Sequence, residues 1–187
     1  MPMQVRVMPH RAEWADGFAA EAARLRGALG PCCVAVHHVG STAIPGIVAK
    51  PILDLLVEAD AIEHVDARRD AVVALGYEAM GEYGLPGRRY FRQDDDRGVR
   101  THHVHAYAAG HPDVARHLAF RDFLRAHTQP AQAYSELKAN LAAEHPDDME
   151  AYIDGKDPFI QRVERDALAW WTKTRPGPAD GLSSCDS

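Results

Sequence analysis

The sequence has no apolar run that approaches the ~20 residues a membrane-spanning helix needs. Its first residues, MPMQVRVMPHRAEW, lack the apolar core of a secretory leader. Cysteine is scarce: Cys32 and Cys33 are adjacent and Cys185 lies in a polar tail. There is neither a C-x-x-C pair nor an evenly spaced framework, so reduced thiols and a cytoplasmic location are expected. A basic excess is missing too. The formal net charge is −6, and no basic run stands out, which argues against duplex nucleic acid as a partner. Local Arg and Lys side chains can still converge on a small anion. Neither G-x-x-x-x-G-K-[ST] nor G-x-G-x-x-G occurs, which removes the P-loop and the dinucleotide fingerprint. The H-x-H pair at His103 and His105 has no companion H-x-H-x-D-H run, so a metallohydrolase is disfavoured.

What is present reads as one globular domain. The chain has 187 residues, 46% hydrophobic and 26% charged. Apolar residues at Trp14, Phe18, Ala22, Leu25 and Leu29 have helical spacing, and Gly30-Pro31 stops that helix. Strands are expected over 33–39 and 51–58, a helix over 61–75 and a short strand over 77–80. RRYFRQ (88–93) and VRTHHVHAY (99–107) flank an Asp/Gly turn and predict a β-hairpin. In that setting Asp94, Asp95 and Asp96 are turn residues rather than a metal site. Helical patterns then cover about 113–127, 130–144 and 156–172, with Trp170 and Trp171 as packing residues of the last. Strands first and helices later predict an α+β domain over 1–174, with a sheet core at about 30–110 and a helical cap at about 112–172. The Pro/Gly/Ser-rich end, 175–187, is expected to be disordered.

One residue breaks the apolar pattern where it costs most. Asp54 stands among Ile52, Leu53, Leu55, Leu56 and Val57. A carboxylate there is expensive unless it is paired, hydrogen-bonded or bound to a metal. Thirteen positions earlier, Ser41 follows Gly40 at the end of the preceding strand. Such a turn presents backbone N–H groups and a hydroxyl to a phosphate, and the acid could hold a divalent cation shared with that phosphate. Thr42 and Lys50 flank the same loop. Arg88 and Arg89, after Gly87, are candidates for an anion clamp, although strand alternation aims only one of them at a given face.

HVGSTAIPGIVAKPILDLLV resembles the signature of the GrpB (UPF0157-type) family, small bacterial proteins with a nucleotidyltransferase-like fold. HRAEWADGFAAEAARLRGALG, GLPGRRYFRQ, RTHHVHAY, FRDFLRAHTQPAQAYSELKANLA and YIDGKDPFIQRVERDAL continue the resemblance in order over about residues 5–170. It implies a mixed sheet flanked by helices, with a helical C-terminal extension. It also implies nucleotide binding with a divalent metal (Mg²⁺ or Mn²⁺, with Zn²⁺ a further option) and transfer to a small acceptor. A related domain is fused to some dephospho-CoA kinases, so the alternative is an accessory module that binds a nucleotide, another small anion or a protein. Arg121, Lys138, Tyr152 and Lys156 recur in the resembling segments, where they either close over a ligand or pair on helix surfaces.

The wider nucleotidyltransferase superfamily carries Asp-x-Asp or Asp-x-Glu where this chain has Asp54 and Leu56. Glu58 shares the face but lies two residues further on. On the later strand, His103 and His105 alternate onto one face and His102 onto the other. If that strand neighbours the Asp54 strand, Asp54, His103 and His105 form a set suited to an imidazole-preferring metal. His105 with Asp54 would then carry the chemistry.

Overall fold

The computed structural model describes residues 4–175. The strand that bears Asp54 lies inside a five-stranded mixed sheet. β2 (Leu53–Ala59) runs antiparallel to β1 (Cys33–Val39) on one side and parallel to β5 (Arg100–Ala108) on the other. β4 (Arg89–Asp94) and the short β3 (Glu78–Ala79) complete the order β1-β2-β5-β4-β3. The expected hairpin is the β4–β5 pair. Its turn is held by Asp95, whose Oδ1 accepts the N–H groups of Arg97 and Val99, each at 2.9 Å. Asp94 is paired with Arg100.

Alternation along the strands sorts two faces. Leu53, Leu55, Val57 and Ala59 of β2 share one face with Val104 and Ala106 of β5. There they pack against Ala22, Leu25 and Leu29 of α1 (Glu13–Leu29), Val65 of α2 (Ile62–Ala67) and Val72 of α3 (Arg69–Val73). The single helix expected over 61–75 is therefore two. The Arg68 N–H is shared by the His64 and Val65 carbonyls at 3.2 and 3.1 Å, a tight turn that re-aims the chain. The opposite face carries Asp54, Leu56 and Glu58 of β2 and His103, His105 and Tyr107 of β5. It is partly covered by α4 (Pro112–Ala126), α5 (Thr128–Glu144) and α6 (Met149–Thr174).

α6 begins at Met149, earlier than the 156–172 pattern predicts, and carries Gly155 and Pro158 inside it. Asp148 caps it by accepting the Ala151 N–H at 3.0 Å. A Cβ on Gly155 would meet Leu141 Cδ2 at 2.5 Å, so glycine is what lets α5 and α6 approach there. The tail expected to be disordered lies, apart from Arg175, outside the described residues. No helix among the described residues is long and apolar enough to cross a membrane.

Candidate functional site

The site is assembled by three neighbouring segments. β1 ends at Val39, which is in register with Asp54 on β2. Gly40 follows at φ 71°, ψ −173°, a conformation that is essentially glycine-only. It turns the chain across the end of β2, so closely that a Cβ at Gly40 would lie 2.5 Å from Asp54 Oδ2. Ser41–Ala43 then form a single 3-10 turn. The parallel pairing of β2 with β5 puts Asp54 opposite His103 and Leu56 opposite His105.

In this arrangement His103 Nδ1 is 3.0 Å and His105 Nε2 3.6 Å from Asp54 Oδ1. One ligand atom from each residue lies within 4.8 Å of the other two. Burial by itself pushes Asp54 up. The hydrogen bonds and charges of the two histidines more than offset this and hold its carboxyl well below the usual carboxylate range. The acid that the apolar strand made conspicuous is thus satisfied by imidazoles. His105 Nδ1 is buried and has no hydrogen-bond partner among the described residues. Tyr90 of β4 closes this end, its ring centroid 5.7 Å from that of His103 and 5.4 Å from that of His105.

Next to Asp54 and His103 opens a cleft of about 290 Å³, walled by Gly40, Ser41, Thr42 and Lys50 on one side and by Lys138, Tyr152 and Lys156 on the other. A larger depression of about 480 Å³ lies at Pro9, His10 and Gly46–Val48, but His10 is its one titratable side chain, so chemistry favours the smaller cleft. The helical cap fixes the turn loop by side chain to main chain. Arg121 donates to the His38 carbonyl at 3.0 Å and Arg125 to the Ala43 carbonyl at 2.8 Å. Ser135 accepts the Val48 N–H at 2.9 Å, and Lys138 donates to the Val48 carbonyl. Below the loop, His38 stacks on Phe18 at 4.9 Å and its Nε2 is 2.9 Å from Thr42 Oγ1. Burial and the nearby Arg125 and Arg121 push its pKa down to about 4, so it is a neutral structural group at pH 7.

The family described as "GrpB protein" matches residues 4–166. The chain belongs to the GrpB family. A crystal structure of the conserved GrpB protein of Enterococcus faecalis superposes with a TM-score of 0.84 at 42% identity, over 89% of this chain and 99% of that one. The UPF0157 protein YqkA of Bacillus subtilis (strain 168) is 46% identical over 89% of this chain, and the chain spans 48% of that relative's length. A dephospho-CoA kinase of Mycolicibacterium paratuberculosis is 27% identical over 91% of this chain and 47% of its own length.

On this GrpB scaffold the candidate residues divide cleanly. Gly40, Ser41, Thr42, Lys50, Asp54 and His103 line one cleft, and His105 stands beside it. Arg88 and Arg89 are not brought to it. Arg89 points to the other face of the sheet, where its guanidinium pairs with both oxygens of Asp66 at 2.5 and 2.7 Å. Arg88 is buried, donates to the Glu82 and Tyr83 carbonyls at 3.1 and 2.7 Å, and stacks on Tyr90. It pins the 81–87 loop. Of the helical residues, Lys138, Tyr152 and Lys156 line the cleft, while Arg121 is spent on the loop and on Asp122. Sequence reasoning passed over Tyr90 and Ser135. Alternation against Arg89 marks Tyr90, whereas nothing local marks Ser135.

The donor set decides which metals fit GrpB here. One carboxylate and two imidazoles suit Zn²⁺, Mn²⁺ or Fe²⁺. A pair of Mg²⁺ ions asks for more oxygen ligands than Asp54 supplies. Leu56, where a second acid would stand, is fully buried against Val39 and Tyr107, under Val114 and Leu118 of α4. Glu58 is further along the strand and bound to His37 at 2.6 Å.

Proposed function

We propose that this GrpB-family chain binds a nucleoside triphosphate together with one divalent ion and transfers its nucleotidyl group to a small acceptor. The observation that carries the reading is the convergence of the Gly40-Ser41 turn, the Asp54–His103–His105 set and a lysine-lined wall on one cleft. Asp54, His103 and His105 would hold the ion, which when bound neutralises phosphate charge and polarises a phosphoryl oxygen. The turn supplies the Ser41 hydroxyl to a phosphate oxygen. With its Nε2 on the ion, His105 keeps the ring proton on the buried Nδ1, so it serves the transfer by holding the ion beside Asp54. Tyr90, its ring beside those of His103 and His105, backs the two imidazoles.

A second reading has its own support. Leu56 stands fully buried among apolar residues under α4 where a second carboxylate would be desolvated, and a dephospho-CoA kinase is among the relatives. On that reading the same cleft binds an anionic ligand as an accessory module and performs no transfer. Titration calorimetry with ATP, GTP, CTP and UTP, with and without Mn²⁺, Zn²⁺ or Mg²⁺, separates the two. Metal-dependent binding that is lost in Asp54→Asn, followed by pyrophosphate release with an acceptor, is the expected result. Nucleotide binding indifferent to metal and to Asp54→Asn would favour the accessory module. No nucleotide binding at all would overturn the transferase reading.

A further inference from the structure

Three ammonium groups from three separate segments face the same cleft: Lys50 just before β2, Lys138 on α5 and Lys156 on α6. None of them has a carboxylate within 4.0 Å among the described residues. This is unusual in a chain with 27 acidic against 21 basic residues. Nearly every Arg near the site has a carboxylate or carbonyl partner. Lys50 and Lys156 make do with soft contacts, and Lys138 has the Val48 carbonyl as its one hydrogen-bond partner among the described residues. Lys156 Nζ lies 4.4 Å and Lys50 Nζ 5.6 Å from the Tyr152 ring centroid, and Lys50 also meets Met149 Sδ at 3.6 Å. Lys138, only 2% exposed, lies over the Tyr134 ring at 4.3 Å.

Clustered, half-desolvated cations without a counter-charge are costly. The cost shows in their acidity. Burial, with Lys156 and Lys50 nearby, pushes Lys138 down to about 7, and burial with Lys50 pushes Lys156 down to about 8. Packing alone does not call for such a cluster, because a methionine or leucine would fill the same space without the charge. An anion that brings several negative charges relieves the cost, whereas a single carboxylate leaves it largely in place. The Ser41 hydroxyl stands on the facing wall as a further donor.

We propose that Lys50, Lys138 and Lys156, arranged around Tyr152, form an oligophosphate subsite that grips the terminal phosphates of the ligand independently of the Asp54–His103–His105 set. The identity of the ligand as a nucleotide rests on the function proposed above; the oligophosphate chemistry does not. The test is calorimetric titration of the full-length, chelator-treated protein at pH 7 with inorganic tripolyphosphate, and with orthophosphate and citrate beside it. Lys50→Gln and Lys156→Gln are compared with Lys173→Gln, an exposed lysine at the far end of α6. Circular dichroism checks that each variant is folded.

Tripolyphosphate binding without metal, weakened at least about tenfold in each cleft variant and unchanged in Lys173→Gln, is expected for a lost charge-assisted hydrogen bond. No binding by the wild type, equal binding by the cleft variants, or citrate binding as tight as tripolyphosphate would overturn the proposal. The two proposals fail separately. Tripolyphosphate binding without any nucleotide binding sinks the transferase reading alone. Metal-dependent nucleotide binding untouched by Lys50→Gln and Lys156→Gln sinks the subsite alone.

Discussion

Replacing Gly40 by alanine tests the geometry at its tightest point. Gly40 sits at φ 71°, ψ −173°, where a side chain costs about 1–3 kcal/mol in backbone strain alone. The new Cβ would also fall 2.5 Å from Asp54 Oδ2 and 3.0 Å from Asp54 Cβ. The carboxylate must then swing away and give up its hydrogen bond to His103, a charged bond whose loss adds roughly 1.5–3 kcal/mol. The total, about 2.5–6 kcal/mol, is a large part of a typical domain's stability. Gly46→Ala is the internal control. Gly46 also has a positive φ, 81°, but no atom lies within 4 Å of the Cβ it would gain, so it should cost only about 1–2 kcal/mol. Urea titrations of both variants at pH 7 give the difference directly, provided the slopes match. Zn²⁺ or Mn²⁺ affinity should fall at least about tenfold in Gly40→Ala and stay unchanged in Gly46→Ala. A Gly40→Ala variant no less stable than Gly46→Ala, with intact metal affinity, would show that the turn does not press on Asp54.

Leu56→Asp restores the acidic pattern in sequence but places a carboxylate in a fully buried position under α4. Urea unfolding should show a loss of several kcal/mol, roughly 3 or more, with no gain in Mg²⁺ binding; a stable variant with tighter Mg²⁺ binding would refute the burial argument. His38 has a folded pKa of about 4 against an ordinary value of 6.5. The unfolded chain therefore takes up that proton first, and the stability His38 contributes is complete above about pH 6.5 and lost as pH falls toward 4. The size is about 3 kcal/mol, and His38→Gln should flatten that part of a pH series of urea midpoints. Arg89→Met should cost at most about 1 kcal/mol, since its Asp66 pair is partly exposed, and should leave ligand binding within about twofold. A larger loss of binding would return Arg89 to the site.

By itself the sequence determined the elements that local chemistry controls. The strand–turn at Gly40-Ser41, the Asp-anchored hairpin turn and the Trp14–Leu29 helix follow from period, turn residues and breakers, and they occur as expected. The cost of a carboxylate in an apolar strand singled out Asp54, and period two put His103 and His105 on one face. Tertiary structure decided the rest, because it turns on which elements become neighbours. Only the parallel β2–β5 pairing sets His103 against Asp54. The sequence shows Leu56 in place of a second acid, but only the packing of α4 makes that position fully buried. Arg88 and Arg89 looked like an anion clamp until backbone carbonyls and Asp66, distant in sequence or hidden in a loop fold, claimed them. Lys138 shares the Tyr134–Leu141 stripe that faces inward, yet whether its ammonium met an acid or a cleft depended on α6, which starts at Met149 and so brings Tyr152 to the cleft. Charges interact through space over a few ångströms, and the chain's spacing along its length does not encode that distance.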